Sequence, residues 1–365
     1  MSKPKVSVKV YFTGGDRLGW FFDDELAMTK KLLDFVQPAN LLTCQIIQTV
    51  NWQALLHLPK QLLVGKYVIA HMNHDPRAAI QDPNFNLACK FVSLWVARSS
   101  RSAAYLASLN LNVVTVPYLL DGSVFFPMSK TDPALLQLRE KYRIPGNTYL
   151  IGSFQRDTEG KDLKSPKLVK GPDLFLDIVT QVFKQRARIH VVLAGPRRFW
   201  LRDKLSEAGI PFTFVGVPVS GDDVHINTLP KSLVNQLYNL MDLYLVSSRL
   251  EGGPQAVIEC GATKCKILSS DVGHAPDVLS PACIYDSIDQ AASTILEDIH
   301  QNSLAQTVDD NYEAIRRNLP SAVYPQWIAA YEKLVMSEPI TWSQLERLPG
   351  LLEIGQRLVR RVLHV

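Results

Sequence analysis

Short apolar runs recur along this chain, each followed by a stretch of helical spacing, and that alternation limits the fold more than any other feature. Residues 6–12 alternate and then turn apolar before Thr13-Gly14-Gly15-Asp16, which reads as a first buried strand and its loop. Residues 44–50, 67–71, 91–97 and 113–116 are further strand segments, with helix-like stretches at 26–36 and 102–109. A second series starts at Tyr149-Leu-Ile-Gly-Ser-Phe154, after a charged, proline-containing stretch at 127–146. Its strands fall at 189–194, 212–215, 243–246 and 266–269, and its helices near 172–184, 201–208 and 231–240. Strands alternating with helices make βαβ units and a mostly parallel sheet. Two such series in 365 residues predict an α/β protein of two doubly wound domains, 1–145 and 146–320, whose loops face each other across a ligand cleft. Helices at 321–365 are expected to pack back on the body.

Composition narrows the classes of partner. The 47% hydrophobic and 20% charged content describes a globular chain, and a net charge of +4 favours anionic ligands or lipid surfaces while being too small to imply nucleic acid. Cys44, Cys89, Cys260, Cys265 and Cys283 form an odd set without Cys-x-x-Cys spacing, which predicts free thiols and a cytoplasmic setting. The N-terminus has no apolar signal segment, and no stretch approaches a membrane span. In the tail, Thr341-Trp-Ser-Gln344 has the form of a capping box. Beyond Pro349 an apolar stripe of Leu351, Ile354, Leu358, Val362 and Val365 lies opposite Arg357, Arg360 and Arg361. That stripe is expected to pack on the body; a basic amphipathic helix on a membrane surface is the other reading.

The chemistry concentrates at Glu251-Gly-Gly-Pro-Gln-Ala-Val-Ile-Glu259, directly after the apolar run 243–246. Gly252 and Gly253 leave backbone unshielded, Pro254 suits a first helical turn, and Gln255 follows at a helix start whose amides can face an anion. Glu259 lies more than a turn into that helix, where its two carboxylate oxygens can accept from paired hydroxyls. Alone, the segment is equally an ordinary strand–loop–helix connection with solvated glutamates.

The E-x7-E form, within Ser247-Ser-Arg-Leu-Glu-Gly-Gly-Pro-Gln-Ala-Val-Ile-Glu259, resembles retaining GT-B glycosyltransferases of glycosyltransferase family 4. Other passages agree in order: Gly14-Gly15 after the first strand, Asp121-Gly-Ser-Val-Phe-Phe-Pro127, Ile151-Gly-Ser-Phe154 with Arg156 and Lys170-Gly171, and Ser269-Ser-Asp-Val-Gly-His-Ala-Pro-Asp-Val-Leu279. The resemblance spans residues 7–335. It implies two Rossmann-like domains, an N-terminal one for the acceptor and a C-terminal one for the donor. It also implies transfer of a sugar, with retention, from a UDP- or GDP-linked donor to a hydroxyl of a glycan, lipid-linked glycan or small molecule, as in polysaccharide biosynthesis. No cofactor or metal is expected: Asp23-Asp24, Asp222-Asp223 and Asp309-Asp310 lack DxD spacing and read as surface turns.

Roles follow from the same resemblance. Arg156 and Lys170 would meet the diphosphate, whose charge grows as the glycosidic bond breaks. The family places its lysine about five residues after the arginine; Lys161 has that offset but is followed by Asp162, whereas Lys170 has the Lys-Gly context and is preferred. Glu251 would meet the sugar hydroxyls and Glu259 the ribose. Gly14, Gly15, Gly252, Gly253, Pro254 and Gln255 would line the donor. His71, ending the run 67–70, takes the place of a histidine that contacts the donor sugar. His74 is the weaker choice, and a histidine that only caps the strand end is the other reading. Base recognition is expected near 214–217. Acceptor contacts are expected from 16–25, with Asp16 a lesser candidate. Trp20, Phe21 and Phe22 read as core or stacking groups, and Asp23, Asp24 and Glu25 as mostly solvated. Two other functions remain at this stage. A non-catalytic nucleotide-sugar-binding or scaffold protein would keep the cleft without turnover. A dinucleotide-dependent oxidoreductase would need Gly-x-Gly-x-x-Gly after the first strand, and the chain lacks it.

Overall fold

The computed structural model describes residues 8–16 and 21–346. Trp20 and the apolar stripe beyond Pro349 lie outside the described residues. The chain divides into two compact units, residues 1–119 with 320–365 and residues 120–319.

The first unit holds a six-stranded parallel sheet of β1 (Lys9–Thr13), β2 (Gln37–Pro38), β3 (Ile46–Thr49), β4 (Tyr67–Met72), β5 (Leu94–Ala97) and β6 (Val113–Thr115), in the order β2-β1-β3-β4-β5-β6. Its central strands are buried along their length, as their apolar runs require when helices cover both faces of a parallel sheet. Helices Phe21–Leu32 and Ser100–Ser108 belong to this unit. So does Pro320–Val335: Val323, Trp327, Ala330, Tyr331 and Leu334 lie in one core with Val10, Ile46, Ile69 and Val96, so this helix completes the sheet's cover. At the next turn, Gln344 Oε1 accepts from the Thr341 backbone N–H at 2.7 Å, the returning half of the capping box.

The second unit repeats the design with β7 (Tyr149–Ser153), β8 (Ile189–Ala194), β9 (Phe212–Val215), β10 (Leu243–Val246), β11 (Lys266–Ser270) and β12 (Ile284–Tyr285), all parallel and ordered β12-β11-β10-β7-β8-β9. Residues 120–148 group here: Asn235 Oδ1 accepts from the Phe126 N–H at 3.1 Å, and Lys130 Nζ donates to the Asn239 carbonyl at 2.7 Å. The chain winds from β7 to β9 on one side, then returns to start β10 on the other. The switch point therefore falls between β7 and β10, and ligands of open α/β sheets bind beyond the strand ends at such points. In the first unit the switch falls between β1 and β3. Gly14 sits there at φ +100°, and a Cβ on it would come within 2.6 Å of Thr49 Oγ1 and 2.7 Å of the Asn51 nitrogen, so the turn needs glycine.

Candidate active site

Two loops converge at the β7/β10 switch point. One follows β7 and ends in the short turn Leu168–Lys170; the other follows β10 and carries Ser247 to Glu251. They are stitched together by backbone and side chains. The Arg249 N–H donates to the Val169 carbonyl at 2.9 Å, and the Arg249 guanidinium grips Asp173 through two bonds of 2.7 and 2.6 Å. Gly171 follows the lysine in the left-handed region at φ +60°, and a Cβ there would lie 1.8 Å from the Ser247 carbonyl oxygen. Only glycine lets the two backbones approach this closely.

The result is a charged pair at the mouth of the sheet. Lys170 Nζ donates to Glu251 Oε1, with side chains 25% and 12% exposed. Ser248 Oγ, itself buried, donates to the same carboxylate oxygen at 2.9 Å and lies 3.2 Å from Gln155 Oε1. Gln155 Nε2 and Ser247 Oγ both donate to the Lys170 carbonyl, at 3.2 and 3.3 Å. Sequence reading did not single out Gln155, Ser247 or Ser248. Ser247 and Ser248 open the quoted glutamate motif and all three follow the apolar runs that became β7 and β10, but nothing local gave them a role.

Around this pair the remaining glutamate-loop residues take their places. Gly252 and Gly253 are packed by the loop after β11, where a Cβ on Gly273 would meet the Gly253 Cα at 2.7 Å. Helix Gln255–Ala262 starts at Pro254 with no side-chain cap, so its positive end is left to the glutamate loop. Glu259 is half-buried and accepts from the Tyr238 hydroxyl at 3.4 Å. Tyr238, Tyr244 and Phe154 form a ring cluster with centroids 5.1–5.2 Å apart.

Arg156 is half-buried on the loop after β7. Residues 157–169 form a small hairpin closed by the Thr158–Pro166 bridge, with Lys161 exposed near its tip. Its root is Asp157, which accepts from the Trp200 and Leu201 N–H groups at 3.1 and 3.4 Å and faces buried Arg198 Nε at 3.5 Å. Burial pushes the Asp157 carboxyl up to about 6 against the pull of Arg198. Asp222, exposed as a surface-turn reading expects, and Asp223, which is buried, both hold the loop after β8. Asp222 takes two bonds from the Arg197 guanidinium, at 3.0 and 2.7 Å, and Asp223 accepts from the Arg197 N–H at 2.7 Å. Val217, in the stretch expected to read a base, has both its N–H and its carbonyl bonded by the Asn227 side chain, at 2.7 and 3.0 Å. Among the described residues, no group of three or more His, Cys, Asp or Glu could hold a metal ion.

The first unit places its candidates differently. Gly15 and Asp16 are exposed after β1, and His74 is exposed with its ring 5.9 Å from that of Phe22. His71 is fully buried. The Tyr331 hydroxyl donates to Gln48 Oε1 at 2.5 Å, and Gln48 Nε2 lies 3.0 Å from His71 Nε2. On the other side of the ring, His71 Nδ1 lies 3.3 Å from Glu25 Oε1. Arg98 pairs with Glu25, reaches His71 Nδ1 at 2.6 Å, and donates to Asn73 Oδ1 and the Val116 carbonyl at 2.9 Å each. Burial, with the Arg98 charge, pushes the imidazole down to about 4, so it is neutral at pH 7. Burial also raises the Glu25 carboxyl, but Arg98 and His71 outweigh it and hold it below the usual range. Glu25 is therefore not among the solvated acids of its segment.

No family model and no curated protein matches the sequence. Solved structures do match in fold. HepE of Anabaena, in complex with UDP and glucose, has a TM-score of 0.67 at 14% identity, covering 90% of this chain and 100% of that one. Sucrose-phosphate synthase from Thermosynechococcus elongatus gives 0.63 at 14%, covering 85% and 77%. The α,α-trehalose 6-phosphate synthase from Burkholderia multivorans gives 0.58 at 13%, covering 80% and 70%. This chain has their GT-B fold, two parallel six-stranded α/β units.

Proposed function

We propose that this chain is a retaining, metal-independent glycosyltransferase, similar to glycosyltransferase family 4, that moves a sugar from a nucleotide-diphosphate sugar to a hydroxyl acceptor. The observation that carries the reading is the meeting of Lys170 and Glu251 at the β7/β10 switch point, a cation and a carboxylate set by one framework. A nucleotide sugar needs both kinds of group. In this reading Lys170 and Arg156 take the diphosphate and stabilise the charge that grows on it as the bond to the sugar breaks. The glycine pair and the helix start at Gln255 would line the same anion. Glu251 accepts from sugar hydroxyls, and Glu259 from the ribose. The leaving phosphate takes the acceptor's proton on the face it has just left, which agrees with the lack of a dedicated base in the sequence. The complexes of HepE with UDP and with UDP-glucose make uridine diphosphate the first nucleotide to test, with the guanosine diphosphate sugars next.

His71 has both ring nitrogens engaged inside the first unit, which favours the strand-end reading of the two that its sequence position allows. No contact with the donor is assigned to it. All five cysteines are free, which supports a reducing compartment, and no helix among the described residues is long and apolar enough to cross a membrane. The acceptor is a glycan, lipid-linked glycan or small molecule. A thermal-shift screen of nucleoside diphosphates and their sugars tests the donor class, since selective binding raises the melting temperature. Transfer to an acceptor panel, with the anomeric configuration read by NMR, tests the rest. An inverted product overturns retention, and donor binding without transfer or hydrolysis favours the non-catalytic reading.

A further inference from the structure

Lys170 and Glu251 lie on different loops, yet their backbones are fixed with respect to each other. Gly171 packs on the Ser247 carbonyl, Gln155 and Ser247 hold the Lys170 carbonyl, and Ser248 holds the Glu251 carboxylate. The ammonium and the carboxylate therefore satisfy one another when no ligand is present. On the proposed function, an intact donor offers a replacement for each partner at once: a diphosphate for the ammonium and hydroxyls for the carboxylate. A free nucleoside diphosphate offers only the first. It takes Lys170 away and leaves Glu251, only 12% exposed, beside a new anion with the Ser248 hydroxyl but no sugar hydroxyl in place of the ammonium. A shielded carboxylate that loses its cation and gains a like charge is penalised on both counts.

We propose that Glu251, through its pairing with Lys170, is a specificity determinant that favours the intact nucleotide sugar over the nucleoside diphosphate product. The inference rests on the proposed function. It gives the carboxylate a second task beyond hydroxyl contact, that of expelling the spent nucleotide. Specificity here is a difference of two affinities, set by a group repulsive toward the wrong ligand.

The test is calorimetric titration of the full chain with UDP and UDP-glucose, or with the guanosine pair if those bind instead, for the wild type and Glu251→Gln. Glutamine keeps the shape and the ability to meet hydroxyls but removes the charge. UDP is expected to bind the variant roughly tenfold more tightly. UDP-glucose should gain less, because it also loses its charge-assisted hydroxyl bonds, so the preference for the sugar-bearing ligand shrinks. Equal or weaker UDP binding by the variant, or equal tightening of both ligands, overturns the inference and leaves the proposed function standing. If the wild type binds neither nucleotide nor its sugar, the proposed function itself falls. Circular dichroism establishes that the variant is folded, and Glu251→Ala, expected to tighten UDP and weaken UDP-glucose, carries the same test should glutamine disturb the loop.

Discussion

Each unit sets charged groups near the C-terminal ends of its strands, and the two sets differ in what surrounds them. In the first unit Glu25, Arg98, His71 and Gln48 are sealed at 0–4% exposure and linked to one another, ending at buried Tyr331 on the helix Pro320–Val335. In the second, Lys170 and Glu251 are held just as firmly by backbone but their charged ends stay partly open. A sealed network has no vacancy for a ligand and stiffens the fold that contains it. An open pair can trade its partners for those of a ligand. On the proposed function the difference separates a structural use of charge from a chemical one, and substitutions should respect it: changes in the first set should appear in stability, and changes in the second in turnover.

The largest effect is expected from Arg98→Met, which leaves Glu25 buried without its cation and should cost about 3–5 kcal/mol of stability. Urea unfolding followed by circular dichroism measures it. A loss below about 1 kcal/mol would mean the network opens to water and the contrast between the two sets fails.

Next is Lys170→Gln. Removing one charge-stabilising donor of this kind costs about 3–4 kcal/mol of barrier, so turnover should fall roughly 100- to 1000-fold with little change in melting temperature. Steady-state transfer kinetics beside a thermal melt separate the two readouts. A large drop in melting temperature with turnover retained would place Lys170 with the structural set.

The first unit also carries a pH signature. His71 has a folded pKa pushed below its unfolded value, so the unfolded chain binds the extra proton first, and stability is lost as pH falls from about 6.5 toward 4. Glu25, with its pKa lowered, acts in the same direction at the acid end. Between pH 7 and pH 5 the histidine should contribute about 2 kcal/mol of this loss, which Ala or Gln at position 71 would remove from the pH profile of urea unfolding. His274, also buried and pushed down to about 4, adds a similar slope in both proteins, so the comparison is of the variant's profile with the wild type's. Identical profiles would mean that the imidazole is not held neutral.

Glu259→Ala should weaken donor binding about tenfold, near 1.5 kcal/mol, the low end for a hydrogen bond to a charged group, because Glu259 is half-buried with Tyr238 as its neighbour. Isothermal titration with the nucleotide sugar gives the value, and a fall in turnover with unchanged affinity would move Glu259 into the reacting part of the site.

How much of this the sequence shows follows from the range of each interaction. Strands β8, β9 and β10 lie at the residues expected from their apolar runs, since a buried parallel strand is written continuously in sequence. The two-residue edge strands β2 and β12 escape, being too short for any period. The first helix starts at Phe21 where spacing alone suggested 26, because its opening turn carries Phe21, Phe22 and the acids Asp23 and Asp24 rather than a regular stripe. Within the site, Lys170 and Glu251 were legible from local motifs. Ser248 and Gln155 were not, for their roles depend on the β7–β10 pairing, some 90 residues apart in the chain. The sealed network was the least legible part. Glu25, Gln48, Arg98 and Tyr331 come from four separate stretches of the chain and meet only in three dimensions, so Glu25 reads as one more acid in a polar segment until the fold supplies Arg98.

Lys161→Ala is expected to have the smallest effect, and it sharpens the comparison from the other side. Lys161 has the spacing from Arg156 that a family-like lysine would have, but that spacing is measured along a chain that turns out into a hairpin at Asp157 and closes on it again at Lys167. At the exposed tip of the hairpin, Lys161 follows Gly160 and precedes Asp162, whose carboxylate accepts from the Lys164 and Ser165 N–H groups at 2.9 Å each and turns the chain back. A solvated lysine on such a turn contributes about 0.5 kcal/mol or less, so turnover and donor affinity should stay within about twofold of the wild type. Loss of activity in Lys161→Ala, with Lys170→Gln active, would transfer the phosphate-facing role to the hairpin tip and would require the hairpin to fold over the β7/β10 switch point when donor binds.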